Sequence, residues 1–486
     1  MTIRLYNTAS RSKEEFRPIT EGKVGIYVCG VTVYDLCHIG HARSYIVFDV
    51  LVRYFRAKGF DVTYVRNFTD VDDKIIERAR QAGKESADLA EEYIKAFYED
   101  MDRLGILRPD REPRATEHID NMIDMIKILI EKDIAYVQDS DVFYSIEKST
   151  DYGKLSGRQL EDMKAGSRVA INERKKHPMD FALWKGAKPG EPQWDSPWGP
   201  GRPGWHMECS VMSNFYLGPT FDIHGGGIDL LFPHHENERA QSMAAYNDSE
   251  FARYWVHNGF VTFESEKMSK SSGNFITIRD ALEEYPAEIL RLFLLSKHYR
   301  SPLDFSKKDV LNLKQGLIRI YRTLQRLDML IGPPERKGKP GDRGILKGEQ
   351  EDEFLKQFVN SMDDDLNTAG AVGIIFEKVK EMNRLMDVHQ ERLDDATLSQ
   401  LKNDRNHLLK AAAVLGILEN SPEEFFEKIS ETPDVDSEEV EKMILDRAKA
   451  REQKEWARAD SIREQLQDMG IVLEDTPQGT TWRLDV

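Results

Sequence analysis

Four residues with reactive side chains stand close together near the start of the chain: Cys29, Cys37, His38 and His41. The chain has only 3 cysteines and 12 histidines in 486 residues, so composition does not explain the cluster. A thiolate binds soft metal ions, whereas an imidazole binds a metal or hydrogen-bonds an anion. The surrounding sequence has to indicate which of these two kinds of chemistry each residue performs.

The segment "CHIGH" (37–41) stands where a predicted strand gives way to a predicted helix. Helix N-termini offer free N–H groups and a positive dipole end, so anions bind there. His38 and His41 are three residues apart, on one side of the first turn, and Gly40 allows close approach of a ligand. The pentapeptide is equally typical of a helix start with two polar caps, and by itself it leaves both interpretations open.

A second segment, "KMSKSSGN" (267–274), places Lys267 and Lys270 among small residues. Two ammonium groups on a flexible loop suit a polyphosphate whose charge is redistributed during a reaction. The alternative is a solvated surface loop. The position of the segment, after the predicted sheet and before a helical half, favours a functional role.

A third set consists of Cys29, Cys209, His234 and Glu238, whose donor atoms form a reasonable zinc site. His234 and Glu238 are four residues apart, and Pro233 is typical of a first helical position, so we expect both side chains on one helix face. The residue types alone are weak support, because free cysteines are usually buried small hydrophobes. The sequence also has no CxxC pair, which would be much stronger.

The elements that must position these residues are those of a parallel sheet. Strand-like "VGIYVCGVTV" (24–33) is followed by helical "ARSYIVFDVLVRYFRAKG" (42–59) and strand-like "FDVTYVRNF" (60–68), which together make a βαβ unit. The segments "TFDIHGGG" (220–227) and "YWVHNGFV" (254–261) are predicted to return to the same sheet. From about residue 306 the apolar spacing becomes helical.

Composition narrows the class of protein. The net charge of −17 argues against sequence-blind nucleic-acid binding, although a local basic patch stays open as an RNA contact. The sequence has no stretch of about 18 apolar residues, so we expect no membrane span. The N-terminus also lacks the apolar centre of a signal peptide. Three cysteines cannot form a disulfide framework. We therefore expect a cytoplasmic protein with no membrane contact.

Together, the two motifs resemble the HIGH and KMSKS signatures of class I aminoacyl-tRNA synthetases and occur in the same order. Longer blocks, among them "GRPGWHMECS", "FDIHGGGIDLLFPHHENERAQS" and "ADSIREQLQDMGIVLEDTPQGTTWRL", are similar to those of cysteinyl-tRNA synthetases over most of the chain. The resemblance implies ATP-dependent activation of L-cysteine to cysteinyl-adenylate, then transfer to the 3′ end of tRNA(Cys). It also implies a Rossmann-like catalytic domain in a monomer.

The resemblance implies a role for each candidate residue. One zinc ion would be held by Cys29, Cys209, His234 and Glu238, whereas Cys37 is interpreted as structural. ATP and its Mg²⁺ would meet the histidines and lysines of the two motifs, which are the catalytic candidates. The resemblance also implies a cysteine pocket made by Thr69, Trp205 and His224. It further implies an adenosine site made by Gly225, Gly226, Gly227 and Asp229. Trp205 could instead serve only in core packing, and the three glycines could instead form a tight turn; both alternatives stay open.

A zinc ion would explain how cysteine is told from serine, which differs by one atom. A hydrophobic pocket rejects a near-isostere poorly, whereas a thiol ionises near neutral pH and its thiolate binds zinc. No insertion of editing-domain size is visible in the sequence. We hypothesise that Glu238 gives up its zinc bond when the substrate thiolate binds.

The domain prediction combines the sequence pattern with this resemblance. An acidic, interrupted segment near 419–440 precedes a basic helical stretch at 441–470, in which Trp456 is a candidate surface for stacking an unpaired base. A solvated helix with ion pairs is the alternative. The predicted domains are a Rossmann-like catalytic domain (1–112 and 201–305), a connective insertion (113–200), a helical bundle (306–418), and a linker with a small mixed α/β anticodon-binding domain (419–486).

Two other functions are compatible with parts of the sequence. A ligase that activates cysteine and joins it to an amino-sugar would share the catalytic head, but the closing block "DTPQGTTWRL" favours the tRNA enzyme. A zinc-stabilised RNA-binding protein without catalysis is the second alternative, and the intact histidines and lysines of the two motifs argue against it.

Overall fold

The structure is a computed structural model of the chain. It describes residues 2–149, 151–158, 175–246, 250–263, 266–267, 275–334, 344–346, 352–388, 393–431, 437–453, 455–468, 471–476 and 479–484. Among these residues, no helix has the length and apolar character needed to cross a membrane.

Fifteen strands occur in the described residues. They are β1 (Arg4–Asn7), β2 (Ser12–Glu15), β3 (Lys23–Val28), β4 (Asp61–Arg66), β5 (Ala135–Gln138), β6 (Asp141–Tyr144), β7 (Phe181–Gly186), β8 (Gly201–Pro203), β9 (Phe221–Gly227), β10 (Ala252–Asn258), β11 (Val261–Phe263), β12 (Glu266–Lys267), β13 (Leu303–Phe305), β14 (Ile471–Thr476) and β15 (Gly479–Leu484).

Fifteen α-helices are described as well, with short 3₁₀ or π turns between some of them. The helices are α1 (Ile39–Ala57), α2 (Asp73–Ala82), α3 (Ser86–Arg103), α4 (Ile119–Glu131), α5 (Trp205–Leu217), α6 (Glu236–Ala245), α7 (Ile278–Glu284), α8 (Ala287–Leu295), α9 (Lys307–Ile331), α10 (Glu353–Asp363), α11 (Thr368–Val388), α12 (Asp395–Leu415), α13 (Pro422–Glu431), α14 (Ser437–Glu452) and α15 (Trp456–Asp468).

The centre of the fold is a four-stranded parallel sheet in the order β10-β9-β3-β4. This confirms the predicted parallel α/β sheet, and the predicted βαβ unit is β3-α1-β4. β3 is shorter than expected, because its pairing with β4 ends where Val28 meets Arg66. The chain from 29 to 38 therefore leaves the sheet at the carboxyl end of β3. Ligand sites of open α/β sheets lie at this edge.

The two faces of the sheet belong to different hydrophobic cores. Along β3, Ile26 and Val28 point into one core and Tyr27 points into the other, as a two-residue repeat requires. The first core contains α1 and extends into the helices after residue 306. The second contains Cys29, Cys209 and the antiparallel sheet β5-β6-β7-β8. The predicted metal ligands and the predicted phosphate motif thus approach the sheet edge from opposite faces.

Helix α1 is buried on nearly all sides, with 15 of its 19 residues inside the protein. It packs against the sheet, against α8 and against α12. Its charged residue Asp49 is fully buried and accepts hydrogen bonds from Arg53 and Arg291, which are equally buried. This ionic cluster ties the helix that begins with "CHIGH" to the helical part of the chain.

The last described elements form a small mixed unit. Helices α14 and α15 pack on each other, and β14 pairs antiparallel with β15. Its small core is centred on Leu466 and includes Ile462 and Leu473. The predicted mixed α/β character of the C-terminal region is therefore present.

Candidate active site and metal centre

Cys29, Cys209, His234 and Glu238 converge at one point beneath the carboxyl end of the sheet. Their ligand atoms all lie within 4.8 Å of one another, and all four residues are buried. Cys29 Sγ is 3.6 Å from Cys209 Sγ and 3.5 Å from Glu238 Oε1. Two sulfurs, one imidazole and one carboxylate are a donor set that suits Zn²⁺. The residues therefore fit the zinc ion that the resemblance implies.

His234 and Glu238 were predicted to lie on one helix that begins at Pro233, and this predicted helix start is wrong. Pro233 does not open an α-helix, because Phe232 has extended dihedrals (φ −142°, ψ 129°) and a π turn covers Leu231–His235. α6 begins only at Glu236. His234 Nε2 nevertheless lies 2.8 Å from Glu238 Oε1, because the irregular turn brings His234 to the first turn of α6.

Protonation in the metal-free cluster follows from burial and charge. Burial raises the pKa of Cys29 well above its usual value, and the neighbouring Cys209 raises it further. Although burial opposes ionisation, a hydrogen bond from Cys29 and the proximity of His234 lower the pKa of Cys209 to about 6. Burial lowers the pKa of His234, but Glu238 outweighs it and raises the value to about 10. Likewise, His224 and His234 overcome burial and hold the pKa of Glu238 well below its usual range.

Zinc binding to the metal-free protein is therefore expected to release roughly two protons at pH 7. Cys29 and His234 are protonated there and must lose a proton to bind, whereas Cys209 and Glu238 are already ionised. Because protons compete with the metal, the zinc affinity should rise as the pH increases from 6 to 8. Calorimetric zinc titrations in two buffers of different ionisation enthalpy measure the release. An affinity independent of pH would contradict this description of the cluster.

Several histidines around the ligands were not predicted from the sequence. His206 Nδ1 lies 2.9 Å from His234 Nδ1. His235 Nε2 lies 3.3 Å from Cys29 Sγ, and His235 Nδ1 lies 2.9 Å from His257 Nε2. His206 and His235 could have been suspected from the sequence, since His206 stands three residues before Cys209 and His235 follows His234 directly.

His235 and the predicted residue His224 complete a second donor set with Cys29 and Glu238, and the four ligand atoms also lie within 4.8 Å of one another. The set shares Cys29 and Glu238 with the predicted one but has one sulfur instead of two. Soft thiolate ligands favour Zn²⁺, so the set containing Cys209 is the better zinc site. In that arrangement His224 Nε2, 2.7 Å from Glu238 Oε2, orients the carboxylate from behind.

The histidines of "CHIGH" open α1 and share its N-terminal hydrogen bonds. His38 is the N-cap: its Nδ1 accepts from Gly40 N–H at 3.0 Å, and its own N–H donates to His41 Nδ1 at 3.2 Å. The two rings stack with centroids 3.8 Å apart. Because both Nδ1 atoms accept, each neutral ring carries its proton on Nε2 and can donate to an anion from that atom.

The residues that directly follow "KMSKSSGN" lie beside these histidines. Lys267 is the last residue of β12, which pairs with β11, whereas Lys270 lies outside the described residues. After the segment, the Phe275 ring meets the His38 ring edge-on at 5.2 Å, and Ile39 N–H donates to Ile276 O at 3.1 Å. The chain on the far side of the segment is therefore attached to the start of α1.

One cavity of about 610 Å³ joins the two kinds of chemistry. Cys29 and Trp205 line one part of it, and His38, Gly40 and His41 line another. The Trp205 ring stacks on the His234 ring with centroids 4.1 Å apart, so it forms a wall beside the metal ligands. Among the residues that the structure describes, the other predicted ATP-site residues in the lining are Gly227 and Asp229.

Other predicted site residues lie behind the cavity lining. Thr69 is buried and its hydroxyl donates to Glu208, while His224 is held against Glu238. A Cβ on Gly225 would lie 2.2 Å from the Phe48 ring, and one on Gly226 would lie 3.0 Å from the His235 ring. These two glycines thus allow close packing against α1 and against the π turn.

Replacing Gly225→Ala is expected to destabilise the protein by about 1–3 kcal/mol, because the new methyl group overlaps Phe48 in a closed core. Gly373→Ala is the matched control, since nothing lies within 4 Å of its Cβ position on α11. Chemical denaturation of both variants measures the difference. Equal stability of the two variants would show that α1 does not pack on β9 as described.

The comparisons with known proteins agree with this site. Residues 15–315 match the model described as "tRNA synthetases class I (C) catalytic domain". A relative from Geobacter metallireducens named cysteine–tRNA ligase is 52% identical over 490 residues, covering 100% of both chains. The chain belongs to the cysteinyl-tRNA synthetase family. Members of the family are aminoacyl-tRNA ligases, so the chain is an enzyme of that class.

Further comparisons extend this assignment to the helical and C-terminal parts. Residues 357–419 match a DALR domain and residues 432–483 match a "Cysteinyl-tRNA ligase anticodon binding domain". A cysteine–tRNA ligase from Syntrophobacter fumaroxidans is 52% identical over the whole of both chains. Methionyl-tRNA synthetase of Mycobacterium tuberculosis shares the fold, with a TM-score of 0.61 over 83% of this chain and 93% of that one, at 18% identity. The class I fold predicted from the two motifs is confirmed.

Proposed function

We propose that this chain is a cysteine–tRNA ligase that activates L-cysteine with ATP and transfers it to the 3′ end of tRNA(Cys). The observation that carries the proposal is the single cavity that connects a buried Cys₂-His-Glu cluster with the two histidines at the start of α1. A substrate with a thiol at one end and a carboxylate at the other can therefore place the thiol at the metal ligands and the carboxylate near the histidines at the same time. Family membership supports the same reaction.

The thiol end of the cavity determines which amino acid reacts. Bound there, a zinc ion held by Cys29, Cys209, His234 and Glu238 would supply a Lewis acid that binds a thiolate more strongly than an alcohol. The chain supports those ligands with His206 on His234 and His224 on Glu238. Their positions favour one orientation of each ligand. Trp205, packed on His234, limits the space beside them.

The phosphate end aligns ATP for attack by the cysteine carboxylate on the α-phosphorus, with pyrophosphate as the leaving group. Such a transfer needs alignment and charge stabilisation more than covalent assistance. The Nε2–H groups of His38 and His41 donate to phosphate oxygens, beside the N-terminus of α1. We assign Gly227 and Asp229 to adenosine, because both line the cavity. The assignment of Lys267 and Lys270 to the phosphates, with Mg²⁺ carried by ATP, follows the motif resemblance.

The tRNA is proposed to contact the C-terminal part of the chain, within the predicted unit 419–486. Trp456 is 59% exposed at the start of α15, as a base-stacking residue requires. Some nearby cations are paired, since Arg458 contacts Glu455 at 3.2 Å and Lys449 contacts Asp446 at 3.6 Å. Individual charges there are therefore weaker candidates for RNA contact than Trp456.

Aminoacylation of a tRNA(Cys) transcript with labelled cysteine tests the proposal, with a tRNA of another specificity as the control. Charging of tRNA(Cys) alone is the expected result. Cysteine-dependent pyrophosphate exchange without any charging would indicate instead an enzyme that transfers cysteine to a small acceptor such as an amino-sugar. RNA binding without pyrophosphate exchange would indicate the non-catalytic alternative.

A further inference from the structure

Arg43 is a buried cation that donates only to backbone carbonyls among the described residues. It lies in the second turn of α1 and is 0% exposed. Burial lowers its pKa to about 10, so the guanidinium still carries its charge at neutral pH. Its acceptors are the carbonyl oxygens of Phe260, His298, Tyr299 and Ser301. A buried charge without an opposite charge costs folding free energy, and such local costs are typical of functional regions.

The carbonyls belong to two segments that are in direct backbone contact. Gly259 N–H donates to Tyr299 O at 2.9 Å. A Cβ on Gly259 would lie 2.7 Å from the carbonyl oxygens of both Arg300 and Ser301. The two segments therefore approach as closely as backbone allows, and Arg43 joins the pair to α1.

These segments form part of the proposed active site. Residues 258–261 line the cavity, and the chain continues directly into β11 and then β12, which ends at Lys267. β11 also pairs with β13, which follows the 298–301 segment. On the other side, His38 and His41 open the helix that contains Arg43. Arg43 is thus a direct side-chain link between the helix of the histidines and the segment that leads to Lys267.

We propose that Arg43 is a positioning residue that holds the cavity wall at 258–261 and the paired strands β11 and β12 at a fixed distance from His38 and His41. The role rests on the proposed function, since it matters only where groups on both sides act on one ATP. Arginine suits it because its planar fork presents several donors to separate carbonyls, whereas a lysine ammonium is a compact point charge. A displacement of reacting groups by about 1 Å costs on the order of 10²-fold in rate.

The test compares Arg43→Met and Arg43→Lys with the wild-type protein in cysteine-dependent pyrophosphate exchange, with kcat expressed per active site. We expect kcat to fall on the order of 10²-fold in Arg43→Met while the KM for cysteine stays nearly unchanged. The reason is that two of the metal ligands, Cys29 and Cys209, belong to the other hydrophobic core. Arg43→Lys should recover part of the loss, because an ammonium still reaches some of the carbonyls.

Two further variants separate positioning from simple loss of stability. Arg405→Met removes another buried arginine, which donates to Gly332 O and pairs with Asp328 in the helical part of the chain. It should lower stability with kcat unaltered. Gly259→Ala pushes the two segments apart without changing Arg43 and should reproduce the loss of kcat. An unchanged kcat per active site in Arg43→Met, or a loss that appears only as a raised KM for cysteine, would overturn the proposal.

Hydrogen–deuterium exchange provides a readout that does not depend on activity. In Arg43→Met, amide exchange should increase in peptides covering 255–263 and 296–305 and stay constant across 205–217. If the wild-type protein shows no pyrophosphate exchange at all, the proposed function fails, while this measurement still tests whether Arg43 holds the strand. Unchanged protection in 255–263 would overturn the positioning role itself.

Discussion

A Cys209→Ala protein is expected to lose its zinc and its cysteine-dependent pyrophosphate exchange together. Cys209 supplies one of the two sulfurs of the donor set, and it is buried. An alanine at this position offers the metal no ligand atom. The exchange rate should fall on the order of 10³-fold or more, because a site built around one polar contact with the substrate loses that contact. Metal analysis and exchange kinetics on the same sample measure both effects.

Two controls make this result specific. Cys37→Ala removes the third buried cysteine, which is absent from both donor sets, and should retain one zinc per chain. His224→Ala distinguishes the two donor sets, since His224 is a ligand in one and orients Glu238 in the other. Full loss of zinc in His224→Ala with retention in Cys209→Ala would assign the metal to the second set and contradict our choice.

A His38→Asn protein is expected to fold normally, bind zinc and activate cysteine slowly. An asparagine oxygen can still accept from Gly40 N–H as an N-cap, so the helix start keeps its stability. The Nε2–H donor to the phosphates disappears. Removal of one such preorganised donor costs about 10²–10³-fold in kcat.

This second prediction also specifies which kinetic constants change in the His38 variants. The KM for cysteine should stay close to the wild-type value, because Cys29 and Cys209 belong to a different hydrophobic core from the start of α1. His38→Ala, which removes the cap as well, should add a loss of stability of about 1 kcal/mol. A wild-type kcat in His38→Asn would show that the pair of histidines only caps α1, which is the alternative interpretation of "CHIGH".

The sequence was most informative where a pattern is local and repeated. The strand-like segments at 24–33 and 60–68 and the helical spacing of 42–59 predicted the βαβ unit, although α1 begins three residues before the predicted helix. The four metal ligands, separated by up to 209 residues, could be grouped only through the resemblance to a family. No spacing rule connects Cys29 with Glu238, because the sheet topology brings them together.

Other features depended on tertiary structure that no local pattern encodes. Pro233 predicted a helix start, but the extended conformation at Phe232 delays α6 to Glu236. Gly225 stays a predicted adenosine residue, but no local pattern indicates that the Phe48 ring occupies the space beside it. No local pattern distinguishes Arg43 within the predicted helix 42–59, since its acceptors lie more than 200 residues further along the chain.

The most direct test of the account is pyrophosphate exchange by zinc-loaded and zinc-stripped protein, with cysteine and serine compared as substrates. We expect exchange with cysteine alone, loss of exchange when zinc is removed, and recovery when zinc is added back. Comparable exchange with serine, or full activity with cysteine in the stripped protein, would contradict the claim that one cavity joins a thiol-selective metal site to the phosphate site.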